Sequence, residues 1–200
     1  MLEVFLKEDQ YIDYSSKNIQ NKVIKLFTSD MTEIKKTKVA YEFVRDEIPH
    51  SFDCNAKIIV AKASDVLLYK TGICHAKANL LAALLRSQGI PTGFCFQRIT
   101  LVNDDSLGYC VHAFNAVFIN NKWIKLDARG NKQGVNAQFS TDEPILAFQN
   151  RKEYDEYFFN GIYANPHKAT MLMLEKAESL QDIMDHIPDY VSEKPDISEE

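Results

Sequence analysis

The sequence predicts an α+β fold in which helices pack on a small antiparallel β-sheet. Three observations lead there. Apolar residues recur at helical spacing between Asn18 and Gln88, and from Gly93 to Arg129 the period changes to two, with turn-forming residues between the runs. A chain of 200 residues, 46% hydrophobic and 26% charged, is long enough to bury one sizeable core. The expectation is a single domain over 1–187, followed by an acidic, mobile tail at 188–200, "PDYVSEKPDISEE".

From Asn18 to Ile48 the residues Ile19, Val23, Ile24 and Phe27, then Val39, Phe43 and Val44, return at helical spacing. This predicts two helices, closed by Pro49. A shorter helix is expected from Ala56 to Tyr69, ahead of Gly72, and a longer one from Cys74 to Gln88. Gly89 and Pro91 end the longer one, because glycine takes the left-handed C-terminal position without Cβ strain and proline cannot continue a helix. The runs "GFCFQRITLV" and "GYCVHAFNAVFI", rich in β-branched and aromatic residues, flank "NDDS" and read as antiparallel strands. Asn120-Asn121 then supplies a two-residue turn into "KWIKLDAR", a second hairpin. Past Asn131 the pattern weakens into loop around Tyr154, Tyr157, Phe158, Phe159 and Tyr163, before a last helix from His167 to Ile183. There is no internal repeat and no low-complexity linker.

A net charge of −5, with no Lys/Arg block interleaved with aromatics, argues against a general electrostatic grip on nucleic acid or anionic lipid. The start, "MLEVFLKEDQ", has no basic segment leading into an apolar stretch, and no apolar run approaches membrane-spanning length. A cytoplasmic location is therefore expected, with no nucleic-acid and no membrane partner. Cys54, Cys74, Cys95 and Cys110 are expected to be reduced thiols. Nothing in the sequence specifies an oligomeric state.

Cys74 opens the long helix, where unpaired backbone N–H groups and the positive end of the helix dipole favour thiolate over thiol. Gly72 lets backbone or substrate approach closely, and the helix would hold the sulfur on a rigid element. Read alone, the stretch fits a small core cysteine equally well. The second hairpin brings the partners. With Asn120-Asn121 as a two-residue loop, Ile119 faces Lys122, Phe118 faces Trp123, Phe114 faces Asp127 and His112 faces Arg129. His112, Phe114 and Asp127 then share one face, with Asp127 diagonal to His112 at about 7–8 Å between Cα atoms. That is close enough for a carboxylate to hold an imidazole N–H. A histidine so held, beside a thiol at a helix mouth, has the nucleophile, base and orienter logic of covalent catalysis. A slip of one residue would put the two side chains on opposite faces.

The stretches "ASDVLLYKTGICHAKANLLAALLRSQGIPTG" and "YCVHAFNAVFINNKWIKLDARGN" resemble the core of the transglutaminase-like superfamily, a papain-like arrangement in which Cys, His and Asp occur in that order. The resemblance runs from Ala63 to Asn131. It implies a transglutaminase-like core with Cys74 as nucleophile, His112 as general base and Asp127 as orienting acid. It also implies acyl transfer from an amide or carboxamide of a peptide, protein or small molecule through a thioester, without a cofactor or metal. Hydrolysis is favoured over transfer to an amine such as lysine, because no second substrate platform is evident. The oxyanion would be held by the Cys74 N–H and one donor that the sequence does not identify. Many relatives carry a tryptophan and then an acid after the histidine, where this chain has Phe114 and Ala116, so its substrate surroundings differ. Trp123 lies on the partner strand and is given no oxyanion role. No acidic cluster looks like a calcium loop, and calcium activation is not carried over.

Two other classes stay open. Cys110 and His112 on one strand face, with the pair Cys74 and His75, raise a zinc site, against which stands the lack of any Cys-x-x-Cys or His-x-x-x-His unit. A catalytically silent binding domain is the third class, against which stands the intact set of three residues. The segment His50 to Asp53, "HSFD", could line the site or simply turn the chain after a helix. His167 and His186 read as surface or packing residues, and Cys54 has no assigned place.

Overall fold

The computed structural model describes residues 2–102 and 104–198. Its helices are α1 (Lys17–Leu26), α2 (Glu33–Glu47), α3 (Ala63–Tyr69), α4 (Cys74–Arg86), α5 (Lys168–Leu174) and α6 (Leu180–His186). Its strands are β1 (Thr92–Thr100), β2 (Tyr109–Ile119), β3 (Lys122–Leu126) and β4 (Tyr157–Phe158). They form one antiparallel sheet in the order β3-β2-β1-β4, so the α+β expectation holds. No helix of the described residues is long and apolar enough to cross a membrane.

Helix α4 is buried along its whole length between the other helices and one sheet face. Leu80, Leu81 and Leu84 share a core with Phe94, Phe96, Val111, Ala113 and Val117 of the sheet, and with Tyr41 and Val44 of α2. Its polar side chains reach backbone carbonyls of the surrounding segments. Lys77 Nζ donates to the Ile48 carbonyl, Asn79 to Ala61 at 2.9 Å, and Arg86 to Thr92 at 3.0 and 2.7 Å and Ala164 at 2.6 Å. Such bonds remove the penalty of burying these groups while fixing the helix against irregular chain. The opposite sheet face buries Cys95, Phe114 and Ala116 under Phe5, Leu146 and Ile162.

The second hairpin has the expected register. Ile119 pairs with Lys122, Phe118 with Trp123 and Asn115 with Leu126. Asn120 and Asn121 adopt φ of 51° and 61°, as a type I′ turn requires of both central residues. Gly89 has φ of 72°, and α4 stops at Arg86, with Ser87 and Gln88 in the closing turn. Within the turn between β1 and β2, Asn103 lies outside the described residues.

Three elements differ from expectation. The helix expected from Ala56 begins at Ala63. Its first amides are met from outside, Ala63 N by the Tyr11 carbonyl at 2.8 Å and Ser64 N by Asp13 Oδ1 at 3.0 Å, while Asn79 occupies the Ala61 carbonyl. The single last helix is two, α5 and α6, because Ser179 and Asp182 form a capping box that starts a new helix. Tyr157 and Phe158 leave the aromatic loop to pair with Arg98 and Gln97 as a short edge strand.

The acidic segment from Pro188 to Ser198 lies along the body. Pro188 accepts from Val111 N at 2.7 Å, Val191 is buried, and Ile197 bridges to Ile162. Glu193 and Asp196 cap the amides of Lys168 and Ala164 at 3.0 and 2.7 Å. Glu199 and Glu200 lie outside the described residues.

Candidate active site

Cys74 is the first residue of α4, preceded by Ile73 in extended conformation with no capping side chain. The end of α4 abuts β2: His75 Nε2 meets the Val111 carbonyl at 2.8 Å, which turns His75 toward the sheet and leaves Cys74 beside His112. Gly72 is closed rather than open to substrate. A Cβ there would stand 3.2 Å from Ala76 Cβ, and its backbone forms a parallel bridge with His50.

His112 and Asp127 come together as the hairpin register requires, with His112 Nε2 at 2.8 Å from Asp127 Oδ2. Both are buried, at 2% and 1% exposure, and Cys74 is at 9%. With Nε2 donating to the acid, the other ring nitrogen is left to share the side-chain hydrogen bond between His112 and the Cys74 thiol. Two backbone amides hold Asp127, Arg129 N on Oδ1 at 3.1 Å and Ala147 N on Oδ2 at 3.0 Å. Phe148 stands perpendicular to the His112 ring at 5.0 Å between centroids, and Phe114 stacks on it at 6.2 Å.

The electrostatics follow from these contacts. Burial alone would push the Cys74 thiol up, but the charge and hydrogen bond of His112, with the Ala113 amide, outweigh it and hold the thiol below its ordinary value. Burial would pull His112 down; Asp127 and then Cys74 overcome it and raise the imidazole to about 10. Asp127, penalised by burial, is held low by His112 and by the amides of Ala147 and Arg129. The arrangement stabilises a thiolate–imidazolium pair braced by a carboxylate, able to attack an electrophilic carbon and return a proton to a leaving group.

A model described as the transglutaminase-like superfamily matches residues 20–128, a span that holds all three of these residues. The chain belongs to this superfamily. A candidate cysteine protease from Cytophaga hutchinsonii is 21% identical over 64% of this chain and 42% of its own, with a TM-score of 0.48. A structure described as a TGase is 17% identical over 66% and 35%, with a TM-score of 0.40. A 2,3-dihydroxybenzoate decarboxylase from Aspergillus niger is 26% identical over 95 residues, 45% of this chain and 32% of that protein. The chain thus spans between 32% and 42% of the length of these relatives. At the level of the superfamily the fold goes with cysteine-dependent acyl transfer.

Around this superfamily core the structure adds residues that sequence spacing does not pick out. His50 Nε2 accepts from the Cys74 backbone amide at 3.2 Å. The segment after it is a turn, with Asp53 N and Cys54 N both bonded to the His50 carbonyl at 2.8 and 3.2 Å, as the turn reading of "HSFD" has it. Asp53 is gripped by Arg129 and by Lys132, the latter at 2.8 Å, and is held down to about 2 against burial. Lys77, one turn into α4, is pulled down to about 7 by burial and then by Arg129. Trp123 packs edge-on against Phe5 at 4.9 Å.

The other candidates fall elsewhere. Among the described residues no three His, Cys, Asp or Glu side chains gather as metal ligands. Cys110 is half-buried, and burial with the neighbouring Cys74 and Glu156 pushes its thiol up to about 12. Cys95 is buried, Cys54 is exposed on the turn, and none of the four cysteines is bridged to another. His167 is buried against Phe96 and His75, and His186 is exposed with Nδ1 on the Asp182 carbonyl at 2.9 Å.

Proposed function

We propose that the protein is a cysteine-dependent acyl-transfer enzyme that opens amide or carboxamide bonds through a thioester on Cys74, with water as the acceptor. The observation that carries this reading is the buried line of contacts from the Cys74 thiol through His112 to Asp127, with the thiol drawn down and the imidazole raised. Cys74 is the nucleophile, His112 the general base and acid, and Asp127 the positioning acid. The Cys74 sulfur forms a bond to the carbonyl carbon, whose π pair moves onto oxygen. When that pair returns, the C–N bond breaks and the amine leaves with the proton from His112. Water activated by His112 then releases the acid. Cys74 is only 9% exposed, which favours a small acceptor over a lysine side chain carried on a second protein.

The test is covalent trapping. The protein is offered a panel of peptide amides, glutamine-containing peptides and peptide electrophiles, and adducts are mapped by mass spectrometry with and without an added primary amine. An acyl adduct on Cys74 that decays to free acid is expected. Decay chiefly to the new amide would make the enzyme a transglutaminase. Adducts confined to other residues, or full turnover by Cys74→Ala, would remove the covalent mechanism.

A further inference from the structure

We infer that a cleft separate from the thiol binds a neutral sugar or a polyol of similar size, gripping one of its hydroxyls between His167 and Glu193. The cleft is open and holds about 520 Å³, within the roughly 300–1,000 Å³ usual for small-ligand sites, which pair an apolar floor with a few placed polar groups. Its floor is the buried Tyr11, Phe96 and Tyr163. Its mouth is polar, the exposed Gln10, Asn165 and Lys168 being joined there by Lys194 and Asp196 of the C-terminal segment. None of Cys74, His112 and Asp127 lines it. Phe96 pairs with Ala113 on the sheet face that packs on α4, whereas His112, the next residue along β2, lies on the other face.

The gap between His167 and Glu193 selects the ligand. His167 is 2% exposed, and its Nε2 has no hydrogen-bond partner among the described residues. A buried polar atom in that state asks for a partner. Nε2 stands 3.7 Å from Glu193 Oε2, too far for a direct hydrogen bond. An oxygen about 2.7–2.9 Å from each atom spans that separation with neither side chain moved. Both walls are already fixed. His167 Nδ1 meets Thr170 Oγ1 at 2.8 Å, and Glu193 accepts from Lys168 N at 3.0 Å and from Ser192 N at 3.1 Å. Groups held in this way bind with little further ordering cost.

Tautomer and charge narrow the chemistry. Burial pulls the imidazole down and Glu193 opposes it only in part, so the ring is neutral near neutral pH. A carboxylate beside Nε2 favours the proton there, with Nδ1 accepting from the Thr170 hydroxyl. The bridging group must then accept from Nε2–H and donate to Glu193. A hydroxyl does both. An ammonium would set a donor against Nε2–H, and a carboxylate would set an acceptor against Glu193, so each leaves one wall unmatched. The amides of Gln10 and Asn165 suit further hydroxyls, while the aromatic floor suits the C–H face of a ring.

Saturation-transfer NMR on the ligand reads this binding directly. The protein is offered methyl glucoside, methyl galactoside and methyl N-acetylglucosaminide at millimolar concentration, with butylamine and butyrate as charged controls that carry no hydroxyl. At least one neutral glycoside should show transfer. His167→Phe, which keeps a ring but no N–H, should weaken its binding about tenfold, the worth of roughly one hydrogen bond. His167→Gln, which keeps an N–H donor, should recover much of the loss. Should the phenylalanine variant fail to fold, Asn165→Trp carries the test, because it plugs the exposed mouth and should abolish transfer. Three results would overturn the inference: no transfer from any glycoside, transfer untouched by His167→Phe or by Asn165→Trp, or transfer from the charged controls alone.

Discussion

Asp127→Asn separates what the acid does for the fold from what it does for the thiol. Its carboxylate accepts from His112 Nε2 at 2.8 Å and Ala147 N at 3.0 Å on one oxygen, and from Arg129 N at 3.1 Å on the other. Asparagine has the same shape but one acceptor and one NH2 group. Whichever way it turns, the NH2 faces a donor, and the milder choice leaves Arg129 N alone unmatched. A buried donor without an acceptor costs about 1–3 kcal/mol. For a chain of this size that lowers Tm by roughly 2–12 °C. The charge matters separately. His112 stands at about 10 rather than 6.5, equivalent to roughly 5 kcal/mol in favour of the imidazolium, with Asp127 the leading favourable contributor ahead of Cys74. If about half of that is lost, the thiolate–imidazolium pair weakens by nearly two decades, and Cys74 alkylation near pH ~6 should slow by roughly 30- to 100-fold. Above the free-thiol value of about 8.5 the gap should narrow, because the sulfur then ionises without help from the ring. Alkylation rates across this pH range, read by mass spectrometry beside thermal melts, give both effects from one sample. A lowered Tm with an unchanged pH profile would refute the electrostatic role and leave Asp127 a structural anchor.

Cys74→Ala should abolish acyl adducts while keeping a cooperative thermal transition, since a methyl group replaces a small side chain at the start of a helix held by its whole length; adduct mapping and a melt check both. In wild type at pH ~6, brief alkylation followed by peptide mapping should label Cys74 ahead of Cys110, whose thiol is pushed up to about 12, and ahead of the buried Cys95 and the exposed Cys54. His112→Ala should erase that preference. Lys77 is pulled down to about 7 from 10.5, so the unfolded chain binds the extra proton between those values and this group makes stability rise with pH there. The stability of Lys77→Met relative to wild type should therefore decline as pH rises from about 7 to about 10.5, followed by denaturant titration, and a difference independent of pH would contradict a depressed lysine.

The legible part of the site was the part fixed by local rules. The alternation of "YCVHAFNAVFI" and "KWIKLDAR" and the positive-φ tolerance of Asn120-Asn121 set one register, and that register puts His112 and Asp127 on one face. The start of α3 was not legible because its acceptors, the Tyr11 carbonyl and Asp13, come from far back in the chain. The break between α5 and α6 did carry a local signal, Ser179 three residues before Asp182, which helical periodicity across the break conceals. His50 had none. Its place at the Cys74 amide depends on the bridge from His50 to Gly72, joining the exit of α2 to the entry of α4, and on a lysine inside α4 holding the preceding carbonyl.

That dependence also explains why the site can keep so many ionisable groups out of water. Asp127 is bound by a strand histidine, by the amide of Arg129 and by the amide of Ala147; the Arg129 side chain binds Asp53; and Asp53 belongs to the turn that begins at His50. Each charge is met by an opposite charge or by backbone dipoles, the condition under which buried ions are tolerated. The same contacts orient the candidate base beside the Cys74 sulfur and His50 at the Cys74 amide. Removing a member therefore leaves a buried partner unmatched as well as moving a ring, so losses of activity and of stability should come together at Asp127 and Arg129. They should come apart at Cys74, whose thiol meets one His112 ring nitrogen but none of the contacts that hold Asp127 and Arg129.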